Sequence, residues 1–99
     1  MATKMNALTD TQKLALACFA HPKHLDKLVK DKNVGIREVV AKHGTDKHRD
    51  ILVHDEDPDV RRVVAWHGNE HHAKALLNDQ KYQVSYAAER RLKQLGVEP

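Results

Sequence analysis

The chain has little sulfur, little hydroxyl nucleophile and few aromatics: one cysteine (Cys18), one serine (Ser85), and Phe19, Trp66, Tyr82 and Tyr86. A lone cysteine forms no internal disulfide and cannot by itself hold an iron–sulfur cluster or a cysteine-type zinc. No apolar run approaches the roughly 18 residues of a membrane span. Met1 to Gln12 lacks an apolar signal core and a small-residue cleavage site, so a cytoplasmic protein is expected. Phosphate loops, nucleophile elbows and zinc-protease motifs are missing, so no catalytic residue is assigned and no cofactor is expected. Strand-like alternation is missing as well, which leaves helices.

What is present is an internal repeat. Residues 32–55 and 56–79 align without a gap and share nine identities in 24 positions. About one or two matches would arise by chance in a window of this length. The identities are Arg37/Arg61, Val39/Val63, Val40/Val64, Ala41/Ala65, His43/His67, Gly44/Gly68, His48/His72, Leu52/Leu76 and Asp55/Asp79. Upstream, Leu14, Ala17, Cys18, His21 and Pro22 match Ile36, Val39, Val40, His43 and Gly44 at an offset of 22, whereas Leu28, Val29 and Asp31 match at 24. The first unit is therefore expected to be two residues short in its inner turn. Downstream, Val84, Ala87 and Ala88 fill the slots of Val60, Val63 and Val64, and the unit closes on the polar Glu89-Arg90-Arg91 before Gly96. The chain is one domain of 99 residues, with units at about 9–31, 32–55, 56–79 and 80–99.

Each unit reads as two short helices. Val60, Val63, Val64 and His67 fall at i, i+3, i+4 and i+7, one face of a helix. Asp57-Pro58 is a start signal, because the carboxylate accepts orphan N–H groups and proline tolerates the first helical position. Gly68 is expected to end that helix as a left-handed cap. Asn69 or Thr45 then caps the second helix, which buries Ala73, Leu76 and Leu77. Arg49 interrupts the corresponding face one unit earlier, its stem expected to pack while its head reaches water. Thr9 and Gln12 form a capping-box pattern opening a helix to about Ala20. Two short helices cannot bury their apolar stripe alone, so adjacent units must stack. The expected fold is all-α: a short right-handed solenoid of about three and a half helix pairs with terminal caps.

Asp-Pro-Asp-Val-Arg-Arg-Val-Val-Ala-Trp-His-Gly at 57–68, followed by Leu76-Leu77 and Asp79, resembles the HEAT-like leucine-rich repeat variant family. The likeness covers roughly residues 12–92. The family pattern has Asn where this chain has His43 and His67, and Pro where it has Gly44 and Gly68; the unit at 80–99 lacks the Asp-Pro and Arg elements. The resemblance implies an α-solenoid presenting a surface to macromolecules. It implies no catalytic residues, and nothing in the chain corresponds to the cysteine-rich cluster region that some members carry.

Eight histidines invite a metal reading: His67 and His71 stand at i, i+4, and His72 adjoins them. His24, His48 and His72 recur once per unit, as do His43 and His67, and a periodic residue is better explained by a periodic structural need. The expectation is that His43 and His67 bond backbone between units, and, separately, that the clustered histidines make stability or binding pH-sensitive between about pH 5 and 7. Asp31, Asp55 and Asp79, with Arg37 and Arg61, read as a repeated turn bond or ion pair. Cys18 reads as core, in the slot of Val40 and Val64.

The functional expectation falls on the outer side of the first helices. At about 100° per residue with Val60 at zero, Val63, Val64 and His67 lie within about 60° of the core direction, Arg62 near 200° and Trp66 near 240°. Stacking aligns Glu38, Lys42, Arg62, Trp66, Tyr86 and Arg90 into one strip, aromatic in the middle and mostly basic. Trp, Tyr and Arg dominate interface energetics. Lys42, Arg62, Trp66, Tyr86 and Arg90 are therefore the expected partner-binding residues of a non-enzymatic interaction module, an adaptor or stoichiometric inhibitor, monomeric or weakly self-associating. The structural alternative is that Trp66 merely packs over the groove between units. Nucleic-acid binding on the same strip is a second functional reading. Against it, residues 55–78 carry five acids and three bases, and the whole chain is only +3.

Overall fold

The computed structural model describes the backbone of residues 9–19 and 22–98, and the side chains of residues 9–15 and 23–98. The described residues form seven helices and no strand: α1 (Asp10–Phe19), α2 (Pro22–Leu28), α3 (Val34–His43), α4 (Asp46–Leu52), α5 (Pro58–His67), α6 (Glu70–Leu76) and α7 (Tyr82–Gln94). The starts of α1, α3, α5 and α7 are evenly spaced, and those of α2, α4 and α6 keep the same interval. The first unit is thus not short. It keeps the full spacing, and its Thr9 occupies the capping position of Asn33 and Asp57. The helix starts follow an offset of 24 rather than 22. Cys18, His21 and Pro22, placed by that match, have side chains outside the described residues.

Caps set the helix starts. The Thr9 N–H donates to Gln12 Oε1 at 2.9 Å, and the Gln12 N–H donates to Thr9 Oγ1 at 3.2 Å. Asn33 accepts from the Gly35 N–H and Asp57 from the Asp59 N–H, both at 2.8 Å, and Pro58 follows as the first helical residue. Each such cap stabilises its helix by about 1 kcal/mol.

The helix ends differ from expectation. Gly44 (φ −79°) and Gly68 (φ −77°) are extended, not left-handed. Glycine is needed there for space: a Cβ on Gly68 would lie 2.7 Å from both His72 Cβ and the Val64 carbonyl oxygen. At Gly44 it would lie 2.5 Å from the Val40 oxygen. The left-handed glycine is Gly96 (φ 75°), which ends α7 with Val97 N–H donating to Leu92 O and Gly96 N–H to Lys93 O.

α3 packs against both α1 and α5, and α5 against both α3 and α7. A helix with neighbours on two sides buries a wider arc than one face. Val60, Val64 and Ala65 are fully buried, whereas Val63 is half-buried and His67 is exposed. The deepest line of α5 is therefore rotated from the expected Val60–Val63–Val64–His67 stripe toward Ala65, about 140° around from Val60. Alanine recurs at 41 and 65, both fully buried, where a larger side chain would hold neighbouring helices apart. Among the described residues the buried apolar core is aliphatic. The molecule measures 50 × 22 × 17 Å.

Candidate interaction surface

One set of charged side chains is bonded within the molecule at regular intervals. Lys13 pairs with Asp31 at 2.8 Å, Arg37 with Asp55 at 2.9 Å and Arg61 with Asp79 at 2.8 Å, all three at the same separation along the chain. The two arginines are bidentate and also donate backward: Arg37 Nη1 to the Asp31 carbonyl and Arg61 Nη1 to the Asp55 carbonyl, both at 2.7 Å. Asp31, Asp55 and Asp79 each accept one further backbone N–H, from Asn33, Asp57 and Lys81. One guanidinium therefore ties the end of its own unit to the end of the one before. Burial pushes the Asp31 and Asp79 carboxyls up. Hydrogen bonds from Lys13 and Arg61, those two backbone N–H groups and the nearby cations outweigh it, holding both below the ordinary carboxylate value. Arg37 and Arg61 move up, first through their bonds to Asp55 and Asp79. The periodic Asp–Arg pattern is a repeated turn bond and ion pair.

The periodic histidines divide into two kinds. His43 and His67 are exposed and make no hydrogen bond among the described residues, so the expected backbone bonding by this pair is not found. The bonding falls to His48 and His72, which are 3% and 1% exposed. His48 Nδ1 accepts the Thr45 N–H at 3.0 Å, and His72 Nδ1 accepts the Asn69 N–H at 3.1 Å. The opposite nitrogens, Nε2, lie 2.6 Å from Asp26 and Asp50 of the preceding unit. Since Nδ1 accepts, the proton sits on Nε2 and is donated to the carboxylate. With both nitrogens of His72 engaged, the expected companion of His67 and His71 in a metal site is occupied. No group of three or more His, Cys, Asp or Glu among the described residues is arranged to hold a metal ion. The imidazolium of His67 is disfavoured first by partial burial of its ring, then by Arg49, Lys42, Arg91 and His43, which lowers its pKa. Arg49 also departs from expectation. Its head does not reach out into water but caps α3, donating to the Ala41 carbonyl at 2.8 Å and the Lys42 carbonyl at 2.9 Å. Arg91 treats the end of α5 the same way, donating to Gly68 O at 2.8 Å.

The residues of the expected strip lie on α3, α5 and α7 and reach the surface. Lys42, Tyr86 and Arg90 are exposed, and Arg62 and Trp66 are half-buried. Trp66 is packed against the core and meets Tyr86 in a T-shaped arrangement, ring centroids 6.4 Å apart. Part of Trp66 thus does close the groove between neighbouring helices. Tyr82, which the strip did not include, extends the cluster, its ring 5.8 Å from that of Tyr86. The signal for it was available: Tyr82 and Tyr86 stand at i, i+4 on one helix and must share a face. Arg62 reaches Asp59 only at 4.0 Å. Lys42 and Arg90 have no side-chain hydrogen bond or ion pair among the described residues. Elsewhere, an open cavity of about 370 Å³ lies by the ends of α2 and α4, with Ile51 and Lys30 at its rim, and its polar wall is the Arg37–Asp55 pair already bonded to itself. No helix among the described residues is long and apolar enough to cross a membrane. No protein-family model, curated protein or solved structure matches the chain.

Proposed function

We propose that the chain is a non-enzymatic interaction module: a short HEAT-like right-handed solenoid of repeated helix pairs that binds a partner protein through the strip of Lys42, Arg62, Trp66, Tyr86 and Arg90, extended by Tyr82. The single observation that carries this reading is the placement of the aromatics. Among the described residues the buried core is aliphatic, yet Trp66, Tyr82 and Tyr86 gather at one surface, with Tyr82 76% and Tyr86 44% exposed. Rings of this size, left in water beside arginines, are the residue types that anchor interfaces. Equal helix spacing and equal Arg–Asp and His–Asp bonds support the repeat reading, because they are what identical units in register would make. Adaptor and stoichiometric inhibitor both fit such a surface.

The test is affinity capture from lysate of the source cells, run with and without nuclease, with the intact chain and with Tyr86→Ala and Arg90→Glu as baits. A protein retained in stoichiometric amount by the intact chain and lost with both variants is expected. Retention that ignores both variants overturns the reading. So does bound material that vanishes on nuclease treatment, which would move the strip to nucleic acid.

A further inference from the structure

We propose that the Trp66–Tyr82–Tyr86 cluster docks an acidic segment of a partner protein, one carrying glutamate or aspartate on either side of an aromatic or aliphatic side chain. This deepens, and rests on, the interaction-module reading above. The three rings touch in series, at 6.4 Å and 5.8 Å between centroids, and form one apolar platform spanning α5 and α7. Packing explains Trp66, which leans on the core, but it does not explain Tyr82, which is 76% exposed. Two arginines stand beside it on the same helices: Arg62 one turn before Trp66 on α5, and Arg90 one turn after Tyr86 on α7.

The arginines at this face differ in kind from those elsewhere. Lys13, Arg37 and Arg61 are matched to internal carboxylates, and Arg49 and Arg91 to helix-end carbonyls. Arg62 has only the distant Asp59, and Arg90, Lys42 and Lys81 have no side-chain partner among the described residues. Cations left unmatched beside a platform call for anions from outside, and arginine binds carboxylates with two parallel bonds. Glu38, Asp59 and Glu89 stand on the same three helices, α3, α5 and α7. A polyphosphate backbone brings a charge at every nucleotide and meets these acids as well as the arginines. A peptide places its carboxylates selectively, at Arg62 and Arg90, with an apolar residue on the rings.

Trp66 is the only tryptophan and sits in the platform, so its emission reads occupancy directly. The intact chain would be titrated with a random glutamate–tyrosine copolymer, with polyglutamate of equal length and with oligothymidylate, at low and physiological salt. The copolymer is expected to shift Trp66 emission and to bind about tenfold more tightly than polyglutamate, an anchor residue being worth that much. Tyr82→Ala with Tyr86→Ala, both exposed positions that leave the core intact, should weaken copolymer binding about tenfold, followed by far-UV circular dichroism and the Trp66 signal. Arg62→Glu with Arg90→Glu should do the same, and Lys47→Glu on α4 should not. Equal binding of polyglutamate and copolymer, tighter binding of oligothymidylate, or indifference to the tyrosine pair overturns the proposal. If the copolymer fails to bind while Tyr86→Ala still abolishes capture of a cellular protein, the interaction-module reading stands and the acidic specificity falls. If both fail, the reading falls with it.

Discussion

Both ring nitrogens of His72 are committed, one to the first backbone N–H of its own helix turn and one to the carboxylate of Asp50 in the unit before. Histidine at the third helical position here does what glutamate or glutamine does in an ordinary capping box, and it reaches across to a neighbour as well. Replacing it separates the two roles. His72→Gln keeps an acceptor for the Asn69 N–H and loses the reach to Asp50, so a cost of about 1 kcal/mol is expected; His72→Ala loses both and leaves a cavity, so about 2–4 kcal/mol is expected. Urea melts of the two variants check this, and equal costs would contradict it. Gly68 is coupled to the same ring. Gly68→Ala drives a methyl against His72 Cβ and the Val64 carbonyl, and a loss of about 1–3 kcal/mol is expected in the same melts.

The acid response also belongs to single residues. Asp31 and Asp79 have folded-state pKa values below their ordinary 3.8, so the unfolded chain binds protons more readily. Their contribution is whole above the unfolded value and disappears as pH falls below it toward the folded one. His67 acts in the same direction in a higher window: its folded value lies below 6.5, so stability declines as pH falls through 6.5 toward that lower value. Chemical melts at closely spaced pH should show two descending steps on acidification. His67→Gln should remove the upper step alone and Asp79→Asn should reduce the lower.

Among the elements, α7 is the one that breaks pattern. It has thirteen residues where α1, α3 and α5 have ten, no second helix follows it among the described residues, and it packs on both α5 and α6. Its Leu92, fully buried, occupies the slot that Gly68 holds one unit earlier, so the helix continues where the others stop. Two further positions depart from the recurring pattern here. Glu89 occupies the slot of the buried Ala41 and Ala65, and is exposed and paired with Lys93 at 3.3 Å. Lys74 occupies the slot of Asp26 and Asp50, the carboxylates that receive the histidines. A chain ending at residue 81 would uncover the face of α5 that α7 covers. Its loss of cooperative unfolding by circular dichroism is the expected result, and retention of a sharp transition would mean that α7 is an appendage.

At the scale of the whole molecule, the proposed stacking makes stability a sum of unit and interface terms. Duplicating residues 56–79 in tandem, with Lys74→Asp in the first copy to receive the new histidine, should give a longer chain with a melting temperature several degrees higher. The same insertion keeping Lys74 should gain less. A duplicated chain that melts lower, or in two separate steps, would sink the additive stack.

Much of this architecture was legible before any coordinates. Thr9, Asn69 and Asp57-Pro58 announced helix starts because capping is local, and the recurrence of Arg and Asp announced ion pairs because identical units repeat identical needs. Less legible were the register of the first unit, the roles of His48 and Arg49, and the membership of Tyr82 in the surface cluster. Each depends on what lies opposite, and a one-dimensional match of apolar letters does not say which face of a helix they occupy.

By itself, then, the amino-acid order determined that the chain is helical and that its helices recur at a fixed interval. Only the tertiary structure decided that α5 is buried on two sides, that His72 rather than His67 is the bonded histidine, and that glycine is held at 68 by crowding rather than by backbone sign. The physical reason is one of range. Caps and periodicity act within a turn or two of helix, whereas burial, crowding and ion pairing between one unit and the next exist only once a neighbouring helix is in place.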